Sequence, residues 1–189
     1  MSYLDALRRV DQIQALVSPQ PPPVATAVGT TSFSTALHRA QFERAPVEGD
    51  TPSILTAAEN EVGVTEEPPG SNDGTRIADY RSAVAGAAPG QPWCATFVSW
   101  AAAQAGTPLG DAGQGLNSVS AITEWAGRTG RLVSSPEPGD LILFGDQHVG
   151  IVEAVNADGT LTTVEGNEGD AVTRRERSPS EATGYVKVA

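Results

Sequence analysis

At 189 residues and 39% hydrophobic, the chain is long enough for one compact domain and a tail. Its net charge of −11 excludes a nucleic-acid binder, since phosphate contacts need clustered Lys and Arg, and argues against docking to anionic membranes or wall polymers. One cysteine excludes an intramolecular disulfide, and with only two histidines, His38 and His148, a Cys/His zinc site lacks ligands.

The N-terminus, Met-Ser-Tyr-Leu-Asp-Ala-Leu-Arg-Arg-Val, has no apolar core of signal-peptide length. No run approaches the roughly 20 apolar residues of a membrane span. Export would then rest on a non-Sec route. Leu4, Leu7, Val10, Ile13 and Val17 recur at helical spacing, which predicts a short amphipathic helix over residues 3–17. Alone in water such a helix is marginal, so it is expected to dock on a partner or on its own domain. Residues 18–50 are rich in Pro, Thr, Ser and Ala and show no sustained period; they read as a linker with a weak helix around Phe33–Ala45. His38 lies there and is expected at the surface. The division expected is a tail over residues 1–50 and a domain over residues 51–189.

Thr51-Pro52-Ser53 looks like a helix start, with Ile54, Leu55, Ala58 and Val62 on one face. Pro68 to Gly74 is a loop. Ile77, Tyr80, Val84 and Ala87 suit a second helix, and Pro89-Gly90-Gln91-Pro92 breaks the chain before the apolar stretch Trp93–Ala105. A further helix is predicted over Val119–Gly127. After Pro136 the period changes to that of strands: Leu141–Gly145, His148–Val155, Leu161–Asn167, Val172–Arg177 and Tyr185–Val188. Asp158-Gly159 marks a hairpin turn. Helices followed by an antiparallel sheet make an α+β domain.

Cys94 follows Pro92-Trp93 and opens a helix. A thiol there sits near unpaired backbone N–H groups and the positive end of the helix dipole, which favours the thiolate. Position alone leaves an inert buried cysteine equally open. His148 follows the turn and strand Pro138-Gly139-Asp140-Leu141-Ile142-Leu143-Phe144 and starts the next strand. A cysteine hydrolase needs an imidazole to accept the thiol proton, and this region holds one candidate of each kind. A third group should orient the ring. Glu165 and Asn167, two residues apart, share one face of their strand. A loop over Asn156–Gly159 pairs Val155 with Thr160, so that Gly150 opposes Glu165 and His148 opposes Asn167. A two-residue loop at Asp158-Gly159 keeps the same face, and a three-residue loop flips the pair apart.

Four blocks, Gln91-Pro92-Trp93-Cys94-Ala95-Thr96-Phe97-Val98, Pro138-Gly139-Asp140-Leu141, His148-Val149-Gly150-Ile151-Val152 and Glu165-Gly166-Asn167, resemble in order and spacing those of the CHAP family (cysteine, histidine-dependent amidohydrolase/peptidase). The resemblance spans about Thr51 to Val188. It implies a papain-like fold of NlpC/P60 type that cleaves peptidoglycan at the sugar–peptide amide or within the peptide. It implies Cys94 as nucleophile, His148 as base and Glu165 as orienting residue. Asn167 is then a second polar group near the imidazole, or the orienter in place of Glu165. The related NlpC/P60 peptidases share the Gly-Asp-Leu and His-Val-Gly blocks but carry Asp-Cys-Ser and a second histidine, which this region lacks. Gln91 is a candidate oxyanion donor, with turn chemistry an equally good reason for its presence.

Some members of the family bind calcium through an acidic loop ahead of the cysteine. Here Asn72-Asp73-Gly74 and Asp79 are the nearby oxygen donors, sparser than a calcium loop requires, so no metal or other cofactor is expected. Glu168 and Asp170 read as solvated loop charges. The alternative to a hydrolase is an inactive relative serving as a binding or assembly module of a phage tail, flagellum or secretion machine. Loosely, the N-terminal segments resemble tails of flagellum-linked wall hydrolases, which makes flagellar or phage-tail machinery the candidate partner of the N-terminal helix.

Overall fold

The first described helix, α1 (Ile54–Glu59), begins where Ser53 Oγ accepts the Thr56 N–H at 3.1 Å, a serine N-cap that satisfies one otherwise unpaired donor. The structure is a computed structural model that describes residues 53–189. The helix expected over residues 3–17, the linker with its weak helix, His38 and the Thr51-Pro52 part of the helix start lie outside the described residues. Helix α1 buries Ile54, Ala57 and Ala58, whereas Val62 falls beyond its end and is exposed. Helix α2 (Thr75–Ser82) buries Ile77 and Tyr80. It ends before Val84 and Ala87, which the sequence pattern had included.

Helix α3 (Cys94–Gln104) is buried along every face from Cys94 to Ala102, as expected of a helix apolar all round. Tyr80, Trp93, Phe97 and Trp100 form an aromatic cluster with ring centroids 4.8–6.4 Å apart. Each such side chain contributes about 1.5–3 kcal/mol by leaving water. Helix α4 (Val119–Thr129) is capped by Ser118, buries Val119, Ile122, Trp125 and Ala126, and stops at Gly130 in the left-handed conformation.

The six strands are β1 (Leu132–Val133), β2 (Leu141–Phe144), β3 (His148–Val155), β4 (Leu161–Glu165), β5 (Thr173–Arg177) and β6 (Gly184–Val186). They form one antiparallel sheet in the order β1-β6-β2-β3-β4-β5. The fold is therefore α+β, as expected. Strand β1 was not expected; two residues are too few to show a period. Side chains alternate across the sheet. Leu141, Leu143, Val149, Ile151, Val164 and Val186 join the helices in the main core. Ile142, Val152, Leu161 and Tyr185 form a smaller cluster on the other face.

The β3–β4 hairpin decides which residues meet. Val155 pairs with Leu161, one residue away from the expected Thr160, so the connection spans an odd number of residues. By itself that would turn Glu165 to the face opposite His148. A β-bulge between Val152 and Ala154 absorbs the extra residue, and beyond it Ile151 pairs with Val164. One step further the same register sets Gly150 opposite Glu165, the expected relation reached by a different route. Strand β4 ends at Glu165 rather than at Asn167, because Asn167 turns into the left-handed region with φ 61°.

Candidate active site

Cys94 is the first residue of α3, and its side chain is nearly buried, with the sulfur 4.0 Å from the Gln147 carbonyl oxygen. The Phe97 N–H bonds the Trp93 carbonyl, which leaves the Cys94, Ala95 and Thr96 N–H groups at the open end of the helix. His148 opens β3 directly after Gln147. Its Nε2 lies 2.8 Å from Glu165 Oε2. The pair is a diagonal cross-strand contact over Gly150. A Cβ at Gly150 would lie 2.7 Å from Glu165 Cγ, so glycine there makes room for the carboxylate.

Glu165 is fully buried and accepts four hydrogen bonds from three groups. Thr163 Oγ1 and Arg177 Nε donate to Oε1 at 2.6 and 2.8 Å, and Arg177 Nη2 and His148 donate to Oε2 at 2.6 and 2.8 Å. Burial by itself would raise the carboxyl's pKa; the bonds from Arg177, His148 and Thr163 outweigh it and hold the pKa down at about 2. For His148, burial disfavours the charged ring. Hydrogen bonding to Cys94 and Glu165, with their charge, outweighs that and raises the pKa to about 9. The sulfur and the carboxylate thus both favour the protonated ring.

Arg177 did not stand out in the sequence. Its guanidinium also lies 4.8 Å from the centroid of Phe144, whose ring stacks on His148 at 5.6 Å and 27°. Arg177 therefore grips the Glu165 carboxylate directly and backs the imidazole through Phe144. The one available signal was the basic strand Thr173-Arg174-Arg175-Glu176-Arg177, whose register on β4 no local pattern reveals. Glu168, expected as a solvated loop charge, is paired instead: its carboxylate meets Arg175 at 3.1 Å and Arg177 at 3.5 Å, and lies 4.0 Å from His148. Asp170 sits in the same turn, at φ 61°, and its carbonyl accepts the Glu66 N–H.

Asn167 makes no hydrogen bond to the imidazole. Its Oδ1 accepts the Trp93 N–H at 3.1 Å, and its Nδ2 donates to Glu66 Oε1 and Asn72 Oδ1, both at 3.0 Å. The left-handed turn at Asn167 swings the amide away from β3 toward the start of α3. Glu66, only 2% exposed, also accepts from Trp93 Nε1 at 2.9 Å and from the Asn72 N–H at 2.7 Å. Between these two anchors, Gly166 packs on Phe97, where a Cβ would come within 2.6 Å of the ring. Glu165-Gly166-Asn167 thus holds the histidine with its first residue and the cysteine helix with the other two. The Pro138-Gly139-Asp140-Leu141 block is a structural turn. Asp140 accepts the Glu137 N–H at 2.9 Å, while Gly139 N–H and Asp140 C=O bond Val152 on β3, each at 2.8 Å.

The oxygens considered for calcium are engaged. Asp73 Oδ1 accepts from Arg81 and the Gly74 N–H, Asp79 Oδ2 from Arg76, and Asn72 Oδ1 from Asn167. Among the described residues, His148, Glu165 and Glu168 bring ligand-type atoms within 4.8 Å of one another. Arg177 bonds both carboxylates, so a divalent cation there would have to displace a guanidinium.

Cys94 lines a cleft of about 530 Å3 bordered by Arg81, Gln91, Asn117, Asp146 and Gln147. Gln91 is thus at the cleft, ahead of the cysteine. Residues 86–167 match the family model of the CHAP domain. This stretch of the chain belongs to the CHAP domain family. The family is one of peptidoglycan hydrolases, amidases and peptidases. No curated protein matches the chain. Among the described residues, no helix is long and apolar enough to cross a membrane.

Proposed function

We propose that the CHAP domain of this chain is a cysteine amidohydrolase of papain-like architecture that cuts an amide bond of peptidoglycan, either the N-acetylmuramoyl–L-alanine bond or a bond within the peptide. Residues 51–189 do the cutting and residues 1–50 serve delivery. The observation that carries this reading is the line of groups from the Cys94 sulfur at the open end of α3, through His148, to the buried Glu165 carboxylate 2.8 Å from the ring.

The chemistry follows from that line. Glu165 engages Nε2, so Nδ1 is the ring nitrogen left for the thiol proton. Cys94 Sγ attacks the amide carbonyl, and the oxyanion forms at the free N–H groups that begin α3, with Gln91 at the same cleft as a side-chain donor. Collapse breaks the C–N bond, and the imidazolium gives its proton to the departing amine. Water, deprotonated by His148, then hydrolyses the thioester to a carboxylic acid and returns the proton to the thiol.

Mass spectrometry of peptidoglycan digested with the protein tests this. The expected result is release of muropeptides with a new amine and a new carboxylate, and a loss of at least about 10,000-fold in Cys94→Ala. A chain lacking residues 1–50 should release the same products from purified wall. Absence of any cut product with the intact chain would leave a binding or assembly module.

A further inference from the structure

The cleft beside Cys94 does not share the strongly negative charge of the whole chain. The net charge is −11, yet the charged residues at the cleft are Arg81 and Asp146, which balance. The N-termini of both α3 and α4 also open on it, at Cys94 and at Ser118-Val119, and each presents backbone N–H groups and a positive dipole end.

Arg81 is the decisive group. Its side chain is only 10% exposed, and Nη2 is held by Asp73 Oδ1, which fixes the plane of the guanidinium. Its Nη1 is buried and has no hydrogen-bond partner. Among the described residues one other buried side-chain atom shares that condition, the neutral Thr173 hydroxyl, which does not border the cleft. A buried charged donor without an acceptor is costly, and folds rarely retain one without a use. A guanidinium presents its donors as a planar fork that matches a carboxylate. Arg81 borders the cleft, so a carboxylate lying along that wall has this guanidinium as its neighbouring cation.

We propose that the Arg81 wall of the cleft is a subsite for a free carboxylate of the substrate, and that the domain selects peptides with an unamidated acid near the bond attacked by Cys94. This rests on the peptidoglycan reading above. It makes the state of the wall peptide's carboxyl groups, free or amidated, the feature the domain reads.

The test uses two muropeptides of one sequence, one with free carboxylates and one with them amidated. Isothermal titration of each into the full chain carrying Cys94→Ala measures binding without turnover. The acid form should bind at least tenfold more tightly. Adding Arg81→Gln should remove that preference, and Arg81→Lys, which keeps the charge, should retain part of it. Equal binding of the two forms, no binding of either, or a preference that survives Arg81→Gln overturns the subsite. Should circular dichroism show that Arg81→Gln does not fold, the comparison of the two peptides on Cys94→Ala decides alone. Turnover by the unaltered chain separates the two proposals. An acid preference in binding with no cleavage defeats the hydrolase and keeps the subsite. Cleavage of both forms with equal kcat/KM defeats the subsite and keeps the hydrolase.

Discussion

Glu165 and Glu66 are both buried carboxylates, 0% and 2% exposed; Glu165 begins the Glu165-Gly166-Asn167 segment and Glu66 holds its other end. Glu165 is held by a guanidinium, a hydroxyl and an imidazole that changes charge. Glu66 is held by an indole N–H, a side-chain amide and a backbone N–H, none of which titrates. The same residue type at the same depth thus has two settings, distinguished by the charge of its partners. A carboxylate among cations biases a proton; one among neutral donors fixes geometry.

The largest separation between the two should come from Glu165→Gln. The amide cannot stabilise the imidazolium, so muropeptide release should fall about 1,000-fold. Its alkaline limb should also move down from near pH 9, the value at which His148 loses its proton in the folded protein. An unchanged rate would remove Glu165 from the machinery. Glu66→Ala orphans three donors and should cost about 3 kcal/mol by thermal or urea unfolding, while the position of the alkaline limb stays put. A moved limb without lost stability would reverse the two roles.

The smallest effect is expected from Arg177→Met. Removing the guanidinium leaves the full charge of Glu165 on His148, so the alkaline limb of kcat/KM should rise by about one pH unit, opposite in sign to Glu165→Gln. A downward shift would mean that Arg177 acts mainly through the Phe144 stack. Stability follows the same signs. The folded pKa of His148 is raised, so its contribution is complete below about pH 6.5 and is lost as pH rises through about 9. That of Glu165 is lowered, so its contribution is present above about pH 4.5 and is lost as pH falls through about 2.

What the sequence by itself determined is local or countable. The helix and strand periods set the α+β class, because apolar spacing follows the 3.6 and 2.0 repeats of the backbone. Cys94 at a helix start and His148 at a strand start could be singled out because the chain holds so few residues of either type. Glu165 could be reached by strand parity, although the loop and bulge that deliver it differ from the simple hairpins considered. Tertiary structure alone decided the partners. A left-handed turn sent Asn167 to Glu66 and Trp93 instead of His148. The register of β5 on β4 brought Arg177 to Glu165, and the packing of α2 beside α3 set Arg81 at the cleft of Cys94. The physical reason is common to all three. A polar side chain's partner depends on which distant segments share its neighbourhood, and neither period nor spacing encodes that.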